Sequence, residues 1–320
     1  MKSEMWKIVA VFFLLIFAVY FGIFWGSEIY SLKKFFNLSE IEKTIIYKIR
    51  IPRVICAFIV GAGLSISGIV LQSVLKNPLA ESYTLGISGG ASLGTAIALV
   101  IGNIYLIPFF AFIGSISTLF LILSISIIKR FSTSSIILAG ISLNFIFSSL
   151  VLFLVSVLNY EKFHSTVLFL FGDLSSFSTK ILIYSGILIF LSFIFLSLSG
   201  KVYDIISIDE EKAKTLGINV NFEKNLTYFI SCLISSICVS LSGIIGFVGL
   251  IIPHIARSIF GSIHKKVIPI SFIIGGSFLI ICDTISRVII RPVEIPIGVI
   301  TGFFGGIFFL FLLFKTEKIW

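Results

Sequence analysis

Ten apolar stretches divide this chain, and each is long enough, as a helix, to reach across most or all of a hydrocarbon layer roughly 30 Å thick. They run at about 6 to 26, 53 to 74, 86 to 107, 109 to 128, 136 to 157, 180 to 199, 226 to 244, 246 to 261, 267 to 289 and 296 to 314. In lipid every backbone N–H and C=O must find a partner inside the protein, and helices meet that demand segment by segment. The expectation is therefore an all-α polytopic membrane protein of about ten transmembrane helices, with residues 1–320 forming one transmembrane domain. A mean hydropathy of +1.15 with only 12% charged residues leaves no stretch for a separate water-soluble domain. The first stretch, Trp6 to Gly26, is too long for a signal peptide and lacks a small-residue cleavage site, so it reads as the first span.

An even number of spans puts both termini on one side, and basic residues in the connecting loops indicate that this side is the cytoplasm. Fourteen of the 24 basic residues then lie inside. Six of the ten outside form one cluster, Lys33, Lys34, Lys43, Lys48, Arg50 and Arg53. Two readings of this cluster stand side by side: long basic side chains that snorkel to lipid head groups, or a docking surface for an acidic external partner. The net charge of +9 fits both. Nucleic-acid binding does not fit, because there is no sizeable soluble face to present the charge.

The connection Asn77-Pro78-Leu79-Ala80, followed by Leu85-Gly86-Ile87-Ser88-Gly89-Gly90-Ala91, interrupts the apolar pattern with a proline-containing polar break. Such backbone is tolerated near a membrane only as a cytoplasmic turn or where protein covers it along a transport path. In the second stretch Gly61, Ser65, Gly68 and Gln72 recur at helical spacing, a small and polar stripe that lets neighbouring backbones approach. This predicts a central helix, with Gln72 the side chain best placed to touch a passing solute. Gly298, Gly302 and Gly306 repeat every four residues in the last stretch and predict a second close contact.

No Asp, Glu, Lys or Arg falls near the middle of any span, which argues against a carrier driven by its own ion coupling. Cys56, Cys232, Cys238 and Cys282 lie in apolar stretches without CxxC spacing or clustered His, so they read as small buried hydrophobes, and no residue set points to a metal or cofactor. Gly86-Ile87-Ser88-Gly89 matches the short GxSG pattern of intramembrane serine proteases, with His254 the conceivable base. Leu250, however, stands where such enzymes place a Gly one turn before that His. A secondary carrier or channel is the other alternative class.

Taken in order, Arg50-Ile-Pro-Arg53, the Gly61 to Gln72 stripe, Asn77-Pro-Leu-Ala80, the Gly86 to Gly94 segment, Leu138-Ala-Gly140, the run Gly243 to Arg257, Asp283 with Arg287, and Glu294-Ile-Pro-Ile-Gly298 resemble the FecCD family. These are the permease subunits of binding-protein-dependent ABC importers for iron-siderophore, haem and cobalamin. Ser82, where the family often has Pro, and Ser262, where it commonly has Asp, are local departures. The resemblance implies a permease working with two ABC ATPase subunits, a second permease subunit (a homo- or heterodimer), an external substrate-binding protein and the surrounding membrane lipid. It would sit in the cytoplasmic (inner) membrane of a bacterium or archaeon.

The same resemblance assigns roles. Residues 204–222 would be the cytoplasmic coupling segment, with Glu210, Ala213, Leu216 and Gly217 against the ATPase. Gln72, Asn77, Leu79, Thr133 and Ser134 would line the path and its cytoplasmic gate, and Arg50, Arg53 and Arg287 would dock the binding protein, with Asp283 holding Arg287. The chain has no GxxxxGK[ST] phosphate loop, so hydrolysis falls to a partner chain and the protein itself is not expected to be an enzyme.

Overall fold

The computed structural model describes residues 2–26, 28–30, 39–129, 133–158, 160–175 and 178–315, which are helical with connecting turns and contain no strand among the described residues. The helices are α1 Lys2–Phe24, α2 Glu40–Leu75, α3 Ile87–Ile101, α4 Ile107–Lys129, α5 Thr133–Ser156, α6 Tyr160–Leu170, α7 Thr179–Leu198, α8 Gly200–Ile208, α9 Glu210–Thr215, α10 Val220–Ser242, α11 Val248–Phe260, α12 His264–Val288 and α13 Ile297–Lys315. Each of the ten predicted stretches has its helix. Seven are long and apolar enough to cross a membrane, and the remaining three, Ile87–Ile101, Val248–Phe260 and Ile297–Leu312, are shorter.

The second helix extends beyond its apolar stretch. It begins at Glu40, where Ser39 and Glu42 form a capping box (Glu42 N to Ser39 Oγ 3.3 Å, Ser39 N to Glu42 Oε2 2.8 Å), and passes through a π-helical turn at Ile45–Arg50. Hydropathy does not register this opening because it is amphipathic and charged. The polar pair caps it instead.

α2 is the hub of the bundle and touches α1, α7, α10, α11 and α12. A helix can be surrounded this closely only if its own surface is low. A Cβ on Gly61 would stand 2.2 Å from the Gly275 carbonyl oxygen of α12, and one on Gly68 would stand 2.0 Å from that of Gly249 on α11. α3 and α4 use the same device at Gly90 and Gly114. The predicted stripe on α13 behaves differently. A Cβ on Gly298 would meet the Phe171 carbonyl oxygen at 2.4 Å, whereas Gly302 and Gly306 face open space, so the contact predicted from their spacing is not made among the described residues.

α3 and α11, with 15 and 13 residues, rise only about 20 Å each at 1.5 Å per residue. Irregular backbone supplies the remaining depth and is paired inside the protein. In the break after α2, Asn77 N donates to Gln72 O (3.1 Å), Ala80 N to Asn77 O (3.1 Å) and Ser88 N to Ser82 O (3.2 Å). Before α11, Ile244 N donates to Leu170 O (3.1 Å), and Ile297 N and Gly298 N, at the start of α13, donate to Gly172 O (3.0 Å) and Phe171 O (3.1 Å). The turn that closes α6 thus serves two other chain breaks.

Because Gly68 admits a backbone rather than a movable side chain, Gly68→Val is expected to force α2 and α11 apart and to cost about 1–3 kcal/mol or more. A lowered thermal midpoint of the purified variant in detergent would register this. An unchanged midpoint would mean that the contact is slack.

Candidate functional site

At one end of the apolar part of α2, just past the π-helical turn, lies an ionic cluster. Arg53 Nε donates to Asp283 Oδ1 at 2.8 Å and Arg53 Nη1 to Glu294 Oε2 at 2.7 Å. Arg287 Nη2 lies 3.0 Å from Asp283 Oδ2, an ion pair by distance whose angle is not that of a hydrogen bond. The same guanidinium donates to Gly22 O (3.0 Å) and Trp25 O (3.2 Å), and so ties α12 to the end of α1. Arg50 donates to Ile23 O (3.0 Å) and Glu28 O (2.7 Å) and lies 4.7 Å over the Tyr30 ring.

All three arginines are buried, and Asp283 is fully so. None reaches outward as a snorkelling side chain would, and the only half-exposed member of the cluster is Glu294. A cleft of about 250 Å³ opens beside them, lined by Gly26, Ile45, Ile49, Arg50, Arg53, Arg287 and Glu294. Lys43 and Lys48, also in the predicted basic cluster, are exposed, while Lys33 and Lys34 lie outside the described residues.

The other end of α2 carries the predicted gate and coupling residues. Lys76 closes the helix in the left-handed conformation, with φ of 49°. Asn77 Oδ1 accepts from Leu79 N at 2.8 Å, which shapes the turn that holds Leu79 half-buried. Gln72 Nε2 donates to Gly249 O (3.1 Å) and Oε1 accepts from Arg257, so the side chain ties α2 to α11. Thr133 opens α5, and the side chains of Thr133 and Ser134 lie outside the described residues.

In the segment 200–222, α8 and α9 form a helix pair. Glu210 is the first residue of α9, and Asp209 caps it by accepting from Glu211 N (2.9 Å) and Lys212 N (3.4 Å). These two backbone donors hold the Asp209 carboxyl below the usual carboxylate range. Ala213 is buried with Ile206 and Val220 in a small core of the segment's own, so it seats α9 rather than facing outward. Leu216 is exposed, and Gly217 turns the chain with φ of 82°. The pair is fastened to α10 by Tyr203 Oη with Thr227 Oγ1 (3.1 Å) and by Lys224 Nζ to Glu210 (2.8 Å), with Lys76 Nζ further off at 3.9 Å.

Two polar groups were not singled out from sequence. Glu81, in the break after α2, accepts from Phe247 N at 3.4 Å, the residue before the first turn of α11. It lies outside every apolar stretch, and only the fold of the turn carries it inward. Asp204 on α8 accepts from both the N (2.9 Å) and Nδ1 (2.6 Å) of His264, whose Nε2 meets Ser73 Oγ of α2. The imagined protease pair is absent: no hydrogen bond among the described residues joins Ser88 to His254, whose ring sits edge-on to Phe308 at 5.7 Å.

With this geometry in place, comparison with known proteins is decisive. The FecCD transport family model matches residues 14–315. The chain belongs to the FecCD transport family. It is 31% identical to the iron(3+)-hydroxamate import system permease protein of Bacillus subtilis (strain 168), over 97% of each chain. It is also 31% identical to the molybdate import system permease protein of Haemophilus influenzae (strain ATCC 51907 / DSM 11121 / KW20 / Rd), over 92% of this chain and 88% of that one. Among solved structures, a metal-chelate type ABC transporter described in an inward-facing conformation superposes with a TM-score of 0.86 at 28% identity, covering 96% of this chain and 98% of the other. As a FecCD member the chain is a multi-pass membrane permease of the ABC-importer kind.

Among the described residues Asp283 is the only carboxylate paired with two buried guanidinia, so removing its charge leaves Arg287 with no carboxylate and Arg53 with Glu294 alone. Asp283→Asn is therefore expected to lower stability by about 3–5 kcal/mol, read as a fall in the thermal midpoint of the purified protein. An unchanged midpoint would show that Glu294 and the backbone carbonyls suffice.

Proposed function

We propose that this permease gives an iron(III)-siderophore, or a related chelate such as haem or cobalamin, its path into the cytoplasm, with ATP hydrolysed by a separate ABC subunit. The observation that supports the coupling to an ATPase most strongly is a patch on the segment 204–222. Ile208, Leu216 and Phe222 are 78%, 67% and 59% exposed in a stretch that otherwise bears the charges of Asp209, Glu210, Glu211, Lys212 and Lys214. On membrane-facing helices exposed apolar side chains are solvated by lipid. In a charged connecting segment they call for a protein partner. The rigid capping of α9 presents them as a preformed surface, which lowers the ordering cost of association.

The remaining partners follow from the surfaces left over. A second permease copy fits α13, where Gly302 and Gly306 leave a shallow face that a neighbouring helix can approach closely. Two permease and two ATPase subunits would then face one external binding protein. Its carboxylates fit the cleft at Arg50, Arg53 and Arg287, where an incoming acid would replace the half-exposed Glu294 on Arg53 in a bidentate, charge-assisted pair. The N-terminal end of α1 lies on the side of the coupling segment, through Lys266 Nζ to Glu4 Oε1 (2.8 Å) and Lys7 Nζ to Ile259 O (2.7 Å). This supports cytoplasmic termini in a bacterial or archaeal inner membrane. A chelate is the favoured cargo because both the hydroxamate permease and the metal-chelate transporter align over nearly the whole chain.

Gly217→Val tests the coupling surface. A β-branched residue at φ of 82° costs about 1–3 kcal/mol locally and re-aims Leu216, while the membrane helices are untouched. The variant is expected to express and fold normally yet to lose most of the co-purifying ATPase. Co-purification equal to that of the wild type would remove this segment from the interface.

A further inference from the structure

We propose that Asp204, His264 and Ser73 form the link through which the coupling segment moves the cytoplasmic end of α2, and with it the turn at Asn77–Leu79. The three are positioning residues of the transport cycle. The inference rests on reading 204–222 as the segment that an ATPase moves.

Three observations carry it. First, the chain of contacts is continuous across three elements. Asp204 of α8 takes both the backbone N–H and the Nδ1 of His264, and His264 Nε2 meets Ser73 Oγ. The residue before α12, Ile263, offers no side-chain cap, so this helix receives its N-terminal hydrogen bond from the coupling segment. α8 also comes close along its backbone: a Cβ on Gly200 would stand 3.0 Å from Lys265 N.

Second, Ser73 is set where a displacement matters. Its hydroxyl donates to Ile69 O (2.7 Å) and its carbonyl accepts from Lys76 N (3.3 Å), while Asn77 N donates to Gln72 O (3.1 Å). The residue pulled by His264 therefore belongs to the turn that ends α2, immediately before the proposed gate. Third, the link is shielded over most of its length. His264 and Ser73 are buried and Asp204 is half-buried, and hydrogen bonds among buried groups are stronger and better directed than in water. The parallel contact, Glu210 to Lys76, is 3.9 Å long and partly exposed, and such pairs contribute little.

The order Asp, His, Ser suggests a hydrolase, but the setting does not support one. Ser73 lies inside the last turns of α2, where neighbouring N–H groups are already taken by helical bonds. No pair of donors is left to hold an oxyanion. The constellation transmits position rather than chemistry.

The test uses the full chain purified with its ATPase in lipid nanodiscs, spin-labelled at Leu79→Cys on the gate turn and Lys180→Cys at the far end of α7. The four native cysteines are buried. The distance between the labels is measured without nucleotide and with ATP and vanadate. The wild-type background is expected to change distance on trapping. With His264→Gln or Ser73→Ala, hydrolysis should stay within about twofold while the change shrinks below about half, since nucleotide then no longer biases the gate conformation.

Ser73→Ala cuts only the far end of the chain, so it decides the matter if His264→Gln fails to assemble. A full distance change in the variants overturns the link alone. Loss of hydrolysis and movement together overturns it too, because the residues would then only hold the fold. No trapping-dependent change in the wild-type background, or no ATPase bound to it, overturns the coupling reading together with the link.

Discussion

Everything in this bundle depends on how closely other backbones can approach α2. The carbonyls of Gly275 and Gly249 occupy the places where side chains of residues 61 and 68 would otherwise stand. In a bilayer, burying apolar surface between helices gains little over lipid, so close packing and polar contacts must hold the bundle. Once α2 is enclosed, its polar residues can be used as fasteners. Gln72 joins it to α11, Arg53 to α12, and Ser73 to α12 and, through His264, to α8.

The two ends of α2 are built differently, and the difference suits a transporter. At one end the pairs are ionic, buried and shared among α1, α2, α12 and the loop carrying Glu294, with a cleft that leaves one acid replaceable. At the other end hydrogen bonds and partly exposed ion pairs join it to a segment outside the bundle. A charged binding protein would act on the first end and a nucleotide-driven partner on the second. One helix connects them.

Much of this was legible in the sequence because membrane helices advertise themselves by hydropathy, and the spacing of Gly61, Ser65, Gly68 and Gln72 named the central helix correctly. The failures have physical reasons. The glycine repeat on α13 predicted a contact but could not say with whom, and among the described residues nothing lies within 4 Å of a Cβ placed on Gly302 or Gly306. A basic residue at a helix end looks the same in sequence whether it reaches for lipid or turns inward, and the acids that draw Arg53 inward lie more than two hundred residues away. Glu81 and the Asp204–His264–Ser73 chain were missed because each member sits in a connection or at a helix tip, where no periodicity marks which way a side chain faces.

The central claim is that transport through this chain is driven by a nucleotide-hydrolysing partner and gated by an external binding protein. Its most direct test is uptake of iron-59 supplied as a ferric hydroxamate into proteoliposomes holding the permease and its ATPase, with the binding protein outside and ATP inside. Accumulation that needs all three, and is not matched by labelled molybdate, is the predicted result. Accumulation by the permease alone under an imposed ion gradient would contradict it.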